Sequence, residues 1–491
     1  MEPGPSSLDV EETYVIYPKD GTNKGQTSII GEILPHFAKP STIYVSQAKI
    51  VGINFWLATL SERQAICIAE ELDQEASLVA SIYPQISTDP SNPPEDYATE
   101  PKLGRQSLNN DRDLDYLRFV CQEPGKSLED TQHYHYDCTE PILGNGIPVY
   151  IVDTGATLHH EEFDKVRSKV EWIHVGEDVS GGNAEDDSSI DPTQVNTMGK
   201  GHGTAMLSLV TGKSLGISKG VKPYLVRVPR RHIPGHSQGG RPGHATNEDW
   251  LEGISRVNDH LAKSSNTTKA ITLLAFHIPR RSFRRNGMDH SAGFDTRMRF
   301  LLKDLVLKGV LPITGSGNAF ERTIDGFPAN YGRSDYDPIP EVLVVRGVHP
   351  TSFNLAFQTD FDRGLPHIFA PALNIRCAEG NHHFWESGTL TRRGDGTSCA
   401  AAITTGLAAY LLRLGQVSSS HNIQNTPLGL KNNILSLSWS RMEDHGRQLP
   451  AVWNGLRRKP SFREDMRDVR DAAKDITRDV KQRFEKKFSR K

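Results

Sequence analysis

At 491 residues, with 36% hydrophobic and 24% charged side chains, the chain is long enough for more than one domain and has the composition of a soluble globular protein. Lysine plus arginine number 57 against 60 aspartate plus glutamate, a net charge of −3, so no global field argues for nucleic acid or an acidic substrate as partner. No apolar run approaches the ~20 residues that a bilayer needs, and Met1-Glu2-Pro3-Gly4-Pro5 has neither the basic start nor the apolar stretch of a secretory signal. The expectation is an intracellular chain that engages neither nucleic acid nor membrane. Five cysteines, Cys67, Cys121, Cys138, Cys377 and Cys399, are too few and too scattered for a disulfide framework and are expected to be free thiols. Cys121 and Cys138 are the pair that an oxidising compartment could join.

In chain order, the β-branched and aromatic runs Thr13 to Tyr17, Thr42 to Val45, Val51 to Leu57 and Leu78 to Tyr83 read as four strands. Helices fit between them, one opened by Ser61 with Ile66, Ala69 and Leu72 at helical spacing. The order β-α-β-β-α-β over residues 13–88 is that of a small ferredoxin-like α+β unit, which by itself specifies no function. From 86 onward Pro, Asn, Asp and Ser gather without periodicity, and residues 89–113 are set as a linker, the kind of segment a protease cuts.

A large domain over 114–440 follows. Pro148 to Val152 is a nearly continuous apolar run, as expected of a strand covered on both faces, and it ends in Asp153-Thr154-Gly155. Further strands are expected at Tyr224 to Val228, Ala270 to Phe276, Val310 to Gly315 and Glu341 to Val348. Helices should fill His202 to Thr211, Asn247 to Ser264, Thr296 to Lys308 and Thr397 to Leu414. Such alternation argues for an α/β fold, a parallel sheet with helices on both faces.

Four stretches stand out. Asp153 ends a central strand, where α/β sheets build their sites. His202, within Gly201-His202-Gly203-Thr204, opens an apolar helix between glycines that let other groups close on its ring, although a lone histidine is usually a surface residue. Gly315-Ser316-Gly317-Asn318 is a strand running into a glycine turn with an amide at its tip, which could equally serve its own turn. Ser398, within Gly396-Thr397-Ser398-Cys399-Ala400, stands at the mouth of an apolar helix whose N–H groups face developing negative charge. Its bland alternative is an ordinary helix cap.

Asp-Thr-Gly, Gly-His-Gly-Thr, Gly-Ser-Gly-Asn and Gly-Thr-Ser-x-Ala in that order resemble the subtilisin-like serine peptidases, over most of residues 140 to 415. Gly216-Ile217-Ser218-Lys219-Gly220-Val221, Phe327-Pro328-Ala329 and Phe369-Ala370-Pro371 extend the likeness. The resemblance implies a subtilisin-like fold and reads the 13–88 unit as a propeptide, both chaperone and inhibitor. It also implies peptide-bond hydrolysis through an acyl-enzyme, with no cofactor and no catalytic metal. Ser398 would attack, His202 would take its proton, and Asp153 would hold the other ring N–H. Asn318 would donate to the oxyanion beside the Ser398 N–H, worth roughly 3 to 4 kcal/mol, a magnitude known for that family. The partners expected are a protein or peptide substrate and the chain's own propeptide, the molecule being a monomer.

The pattern is broken in places. Ala205 replaces a second histidine, and Ala402 replaces a proline four residues past the serine, trimming bulk beside the acyl site, so transfer to an amine is an alternative to hydrolysis. Leu274-Ala275-Phe276-His277 stands where relatives carry Ser-x-Gly-Gly as the edge on which substrate pairs as a strand. With Gly315, Ser316 and Gly317 opposite, Ala275, Phe276 and His277 are the substrate-binding candidates, and Phe276 and His277 would narrow the groove. An impaired, peptide-binding homologue is therefore the other alternative. Glu177, Asp178, Glu185, Asp186, Asp187 and Asp191 form an acidic loop, either simply solvated or bordering the cleft and favouring basic substrates. The segment 441–491 is highly charged, with Met466, Val469, Ala473, Ile476, Val480, Phe484 and Phe488 making a narrow apolar stripe on a basic helix.

Overall fold

The computed structural model describes residues 10–455 apart from 50, 75–77, 86–113, 132–143, 176–200, 229–244, 264–268, 286, 319–323, 354–363, 381–390, 418–425 and 445–446. The linker, the acidic loop and the charged C-terminal helix read from the sequence fall outside those residues.

The first unit runs β1 (Glu11–Pro18), α1 (Lys24–Phe37), β2 (Tyr44–Ala48), β3 (Gly52–Ser61), α2 (Glu62–Gln74) and β4 (Val79–Pro84). Its four strands pair antiparallel in the order β2-β3-β1-β4. That is the ferredoxin-like arrangement. One face of the sheet buries Tyr14, Ile16, Trp56 and Leu60 against Ile30, Leu34, Ile68 and Leu72 of α1 and α2. The alternate residues Val15, Tyr17, Phe55 and Leu57 point the other way, as the period of two requires, and join a core shared with the large domain.

The remainder comprises α3 (Asp115–Cys121), β5 (Pro148–Asp153), β6 (Glu171–His174), α4 (His202–Thr211), β7 (Lys222–Arg227), α5 (Asn247–Ala262) and β8 (Ala270–Leu274). Short strands β9 (Ile278–Pro279), β10 (Arg284–Arg285) and β11 (Met288–Asp289) precede α6 (Ala292–Leu307), β12 (Val310–Gly315), β13 (Gly326–Phe327), β14 (Leu343–Val348) and β15 (Ile368–Pro371). Then come β16 (Ile375–Ala378), β17 (Thr391–Gly394), α7 (Thr397–Val417), α8 (Pro427–Leu437), β18 (Trp439–Asp444) and β19 (Arg447–Ala451). Among the described residues nine strands form one sheet in the order β18-β19-β15-β14-β12-β8-β5-β7-β6. All its neighbours are parallel except β18 and β19, which form a hairpin. This is an α/β fold built on a mostly parallel sheet.

The sheet corrects one boundary. The set limit of 440 cuts a hairpin in two, because β19 adds to β15 through Phe369 opposite Ala451. The compact unit accordingly ends at Asn454. Among the described residues, the segment Thr397–Gln416 within α7 is long and apolar enough to cross a bilayer, which the sequence reading overlooked. It is a core helix, with 89% of its most apolar stretch buried.

Candidate active site

The site is assembled by close backbone approaches that only glycine permits. Gly201 precedes α4 with φ of 77°, a left-handed conformation that a side chain would strain. A Cβ on Gly203 would lie 2.0 Å from the Gly155 carbonyl oxygen and 3.2 Å from Asp153 Oδ1. Its absence lets the first turn of α4 close on the end of β5. His202 Nδ1 then lies 2.8 Å from Asp153 Oδ1 and 3.0 Å from Oδ2. A carboxylate can only accept, so Nδ1 carries the proton and Nε2 the lone pair. The Thr154 N–H donates to Asp153 Oδ1 at 2.7 Å, and the Gly203 N–H donates to the Thr154 hydroxyl at 3.1 Å. Thr154 thus clips strand to helix.

Ser398 is the second residue of α7 and is half-buried. Its hydroxyl donates to the Ala275 carbonyl at 3.2 Å. Asn318 follows β12, and its Oδ1 accepts the Thr397 N–H at 2.9 Å and the Thr397 hydroxyl at 3.0 Å. Two donors on the oxygen settle which way the amide faces, and its NH2 group is left to donate elsewhere. Gly396 fits beside that nitrogen, since an added Cβ would come within 3.3 Å of Nδ2. Asp153, His202, Asn318 and Ser398 all stand at strand ends or helix starts.

The substrate-binding candidates divide. Ala275 is the residue whose carbonyl Ser398 touches. Phe276 turns into the core, its ring 4.4 Å from that of Trp250 on α5, so this ring is stacked in the interior. His277 turns the opposite way, toward Gly317 and Gly326. Gly315 passes Thr397 so closely that a Cβ would sit 2.6 Å from its hydroxyl oxygen. Ser316 is fully buried, and its N–H bonds the Val345 carbonyl at 2.9 Å. Thr397 and Thr154, which hold the amide and the carboxylate, were not singled out from the sequence; the signal was a threonine beside each candidate. Among the described residues no group of three or more His, Cys, Asp or Glu side chains comes together as a metal site. Cys377 and Cys399 are free and buried and Cys67 is free and exposed, Cys121 is buried with its sulfur 3.5 Å from the Asn454 amide nitrogen, and Cys138 lies outside the described residues.

Comparison with known proteins adds to this geometry. A family described as the subtilase family matches residues 144–434. Subtilisin-like protease 1 of Arthroderma otae is 24% identical over 329 residues, 65% of this chain and 54% of that protein. Subtilisin-like protease 3 of Saccharomyces cerevisiae is 25% identical over 378 residues, 75% of this chain and 67% of that one. The chain thus spans about half to two thirds of the length of these relatives. Among solved structures, fervidolysin from Fervidobacterium pennivorans superposes with a TM-score of 0.55 at 16% identity, over 92% of this chain and 61% of its own. That likeness is one of fold.

Proposed function

The chain belongs to the subtilase family, and from that premise we propose that it is a serine endopeptidase whose nucleophile is Ser398. The observation that carries the reading is the His202–Asp153 contact at 2.8 Å, which leaves Nε2 as the basic nitrogen of the ring. In this reading the Ser398 hydroxyl leaves the Ala275 carbonyl and gives its proton to that nitrogen as its oxygen attacks the peptide carbon. Asp153 stabilises the imidazolium that results. The oxyanion then meets the Asn318 NH2 and the Ser398 N–H, and the amide is already oriented by Thr397, so little reorganisation accompanies the step. Nε2 delivers its proton to the leaving amine, and water repeats the sequence to free the acyl group.

The ferredoxin-like unit is assigned as the chain's own inhibitory propeptide. Its sheet rests on α5 and α6: Tyr17 and Tyr83 donate to Glu248 at 3.2 and 3.1 Å, and Arg297 Nε donates to Asn54 Oδ1 at 3.0 Å. Cleavage within 89–113 would release it. A fluorophosphonate probe tests the nucleophile, since wild type should be labelled and Ser398→Ala should not. N-terminal sequencing tests maturation: the wild-type chain should begin within or just after 89–113, whereas Ser398→Ala should remain uncut. Equal labelling of both forms sinks the assignment of Ser398, and an uncut wild type sinks that of the propeptide.

A further inference from the structure

His277 follows the residue whose neighbour, Ala275, accepts the Ser398 hydroxyl, and its ring is turned toward the glycines before and after Asn318. A Cβ on Gly317 would lie 3.0 Å from ring atoms Cε1 and Nδ1, and one on Gly326 would lie 2.2 Å from Cε1 and 2.3 Å from Nε2. The imidazole is therefore held against two backbones that have room for it only because both residues are glycine. The hold is firm, because Ile278 and Pro279 pair with Phe327 and Gly326 immediately afterwards. Burial pushes the ring down to about 4, with Arg281 adding to the effect and Asp325 opposing it, so it is neutral in ordinary buffers. Nδ1 is buried without a hydrogen-bond partner. Through that nitrogen the ring brings the fold no bond, and what it supplies is volume.

The place of that volume is informative. In an acyl-enzyme the carbonyl carbon is bonded to Ser398 Oγ and its oxygen faces the Asn318 amide. The side chain of the residue that donates the acyl group begins only two bonds from that carbon, about 2.5 Å away. The Ala275–His277 segment reaches the Ser398 hydroxyl through the Ala275 carbonyl and the Gly315–Asn318 turn reaches the adjoining Thr397, so the space between these segments borders that carbon. We propose that the His277 imidazole occupies this space and restricts the acyl-donating residue of the substrate to glycine, alanine or serine. The proposal rests on the reading of Ser398 as nucleophile. It names a substrate class which that reading leaves open. Phe276 is no part of the filter, because its ring stacks on Trp250.

The test uses the full chain as wild type, His277→Gly and His277→Ser. Two peptide substrates differing only in an alanine or phenylalanine acyl donor are compared by kcat/KM, per active site counted with a fluorophosphonate. Wild type should favour alanine by about a hundredfold or more, and the glycine variant should narrow that ratio at least about tenfold. The serine variant should fall between. A wild-type ratio near one overturns the proposal without recourse to any variant, as does a labelled glycine variant whose ratio is unmoved. Should the glycine variant fail to fold, the wild-type and serine ratios decide. Failure of wild type to label at all would instead overturn the nucleophile assignment and take the proposal with it, so the two failures are distinguishable.

Discussion

Asp153 and Glu248 are both buried carboxylates, 1% and 0% exposed, and their surroundings are opposite. Asp153 accepts from the Thr154 N–H and from the ring of His202, a partner able to become a cation. Glu248, in the first turn of α5, accepts on Oε1 from the hydroxyls of Tyr17 and Tyr83 and on Oε2 from Gln85 at 3.5 Å. None of these three is charged. Burial pushes the Glu248 carboxyl up to about 7, with neighbouring Asp249 adding to the effect. The nearby ring of His290 packs on Tyr83 with centroids 6.1 Å apart. One corner pairs its carboxylate with a ring that can become cationic, and the other closes best when its acid is neutral. Further along α5 the same seam uses Glu252, which takes the Tyr44 hydroxyl at 3.1 Å, and Asp259, which takes the Lys49 N–H at 3.0 Å. Apolar contact through Val15, Phe55, Leu251 and Met298 supplies the part of the seam that pH does not touch.

The largest expected effect breaks the charged corner. Asp153→Asn should lower kcat by about 10^4-fold, because an amide can donate to Nδ1 and leave the proton on Nε2. Pre-steady-state acylation checks it, and a loss below about tenfold would mean that Asp153 does not set the tautomer.

A smaller effect sharpens the contrast at the seam. Released into water, the Glu248 carboxyl would return from about 7 toward its ordinary 4.5. The closed state thus binds a proton that the open state gives up. Closure is strongest below about 4.5 and weakens as pH rises through about 7, by about a hundredfold in equilibrium constant. Hydrogen exchange of the β1 and β4 amides, corrected for intrinsic rate, should reveal falling protection between pH 5 and 8. Glu248→Gln should flatten that dependence. A wild-type profile that is already flat would remove Glu248 from the seam's energetics.

Much of this was legible beforehand because it depends on local pattern. The α4 limits His202–Thr211 and the β12 limits Val310–Gly315 agree with those read from apolar periodicity, and α5 begins at Asn247 behind a Thr246–Asp249 capping box. The candidate corner was legible for a related reason: close approaches leave glycines in the sequence, as at 203, where a Cβ would meet the Gly155 carbonyl, and at 315, where it would meet Thr397. Polar edge strands were not legible. Glu171–His174 and Trp439–Asp444 pair through their backbones, so composition tells little about them. Arg441 looked like part of a charged tail, yet its guanidinium lies 4.3 Å from the Phe119 ring and donates to the Val452 carbonyl at 2.8 Å. Nor could the sequence separate Phe276 from His277. Which of two adjacent bulky side chains stacks in the core and which turns toward Gly317 and Gly326 depends on Trp250 and Gly326, distant residues whose proximity only folding creates.

The smallest expected effect concerns Thr397, which braces the amide as Thr154 braces the carboxylate. Thr397 is 3% exposed, and its hydroxyl both donates to Asn318 Oδ1 at 3.0 Å and accepts the Gly317 N–H at 3.2 Å. Thr397→Val removes the hydroxyl at nearly constant shape, but the backbone N–H still holds Asn318 Oδ1 at 2.9 Å. Complete loss of an oxyanion donor costs about 10²- to 10³-fold in kcat. Half the brace should therefore cost less, about tenfold in kcat with KM changed by under about twofold, since the amide meets full negative charge only in the transition state. Thr397→Ser keeps the hydroxyl and should recover most of the rate. A rise in KM at constant kcat would place Thr397 in ground-state binding, and the likeness between the two braced corners would then extend to geometry but not to catalysis.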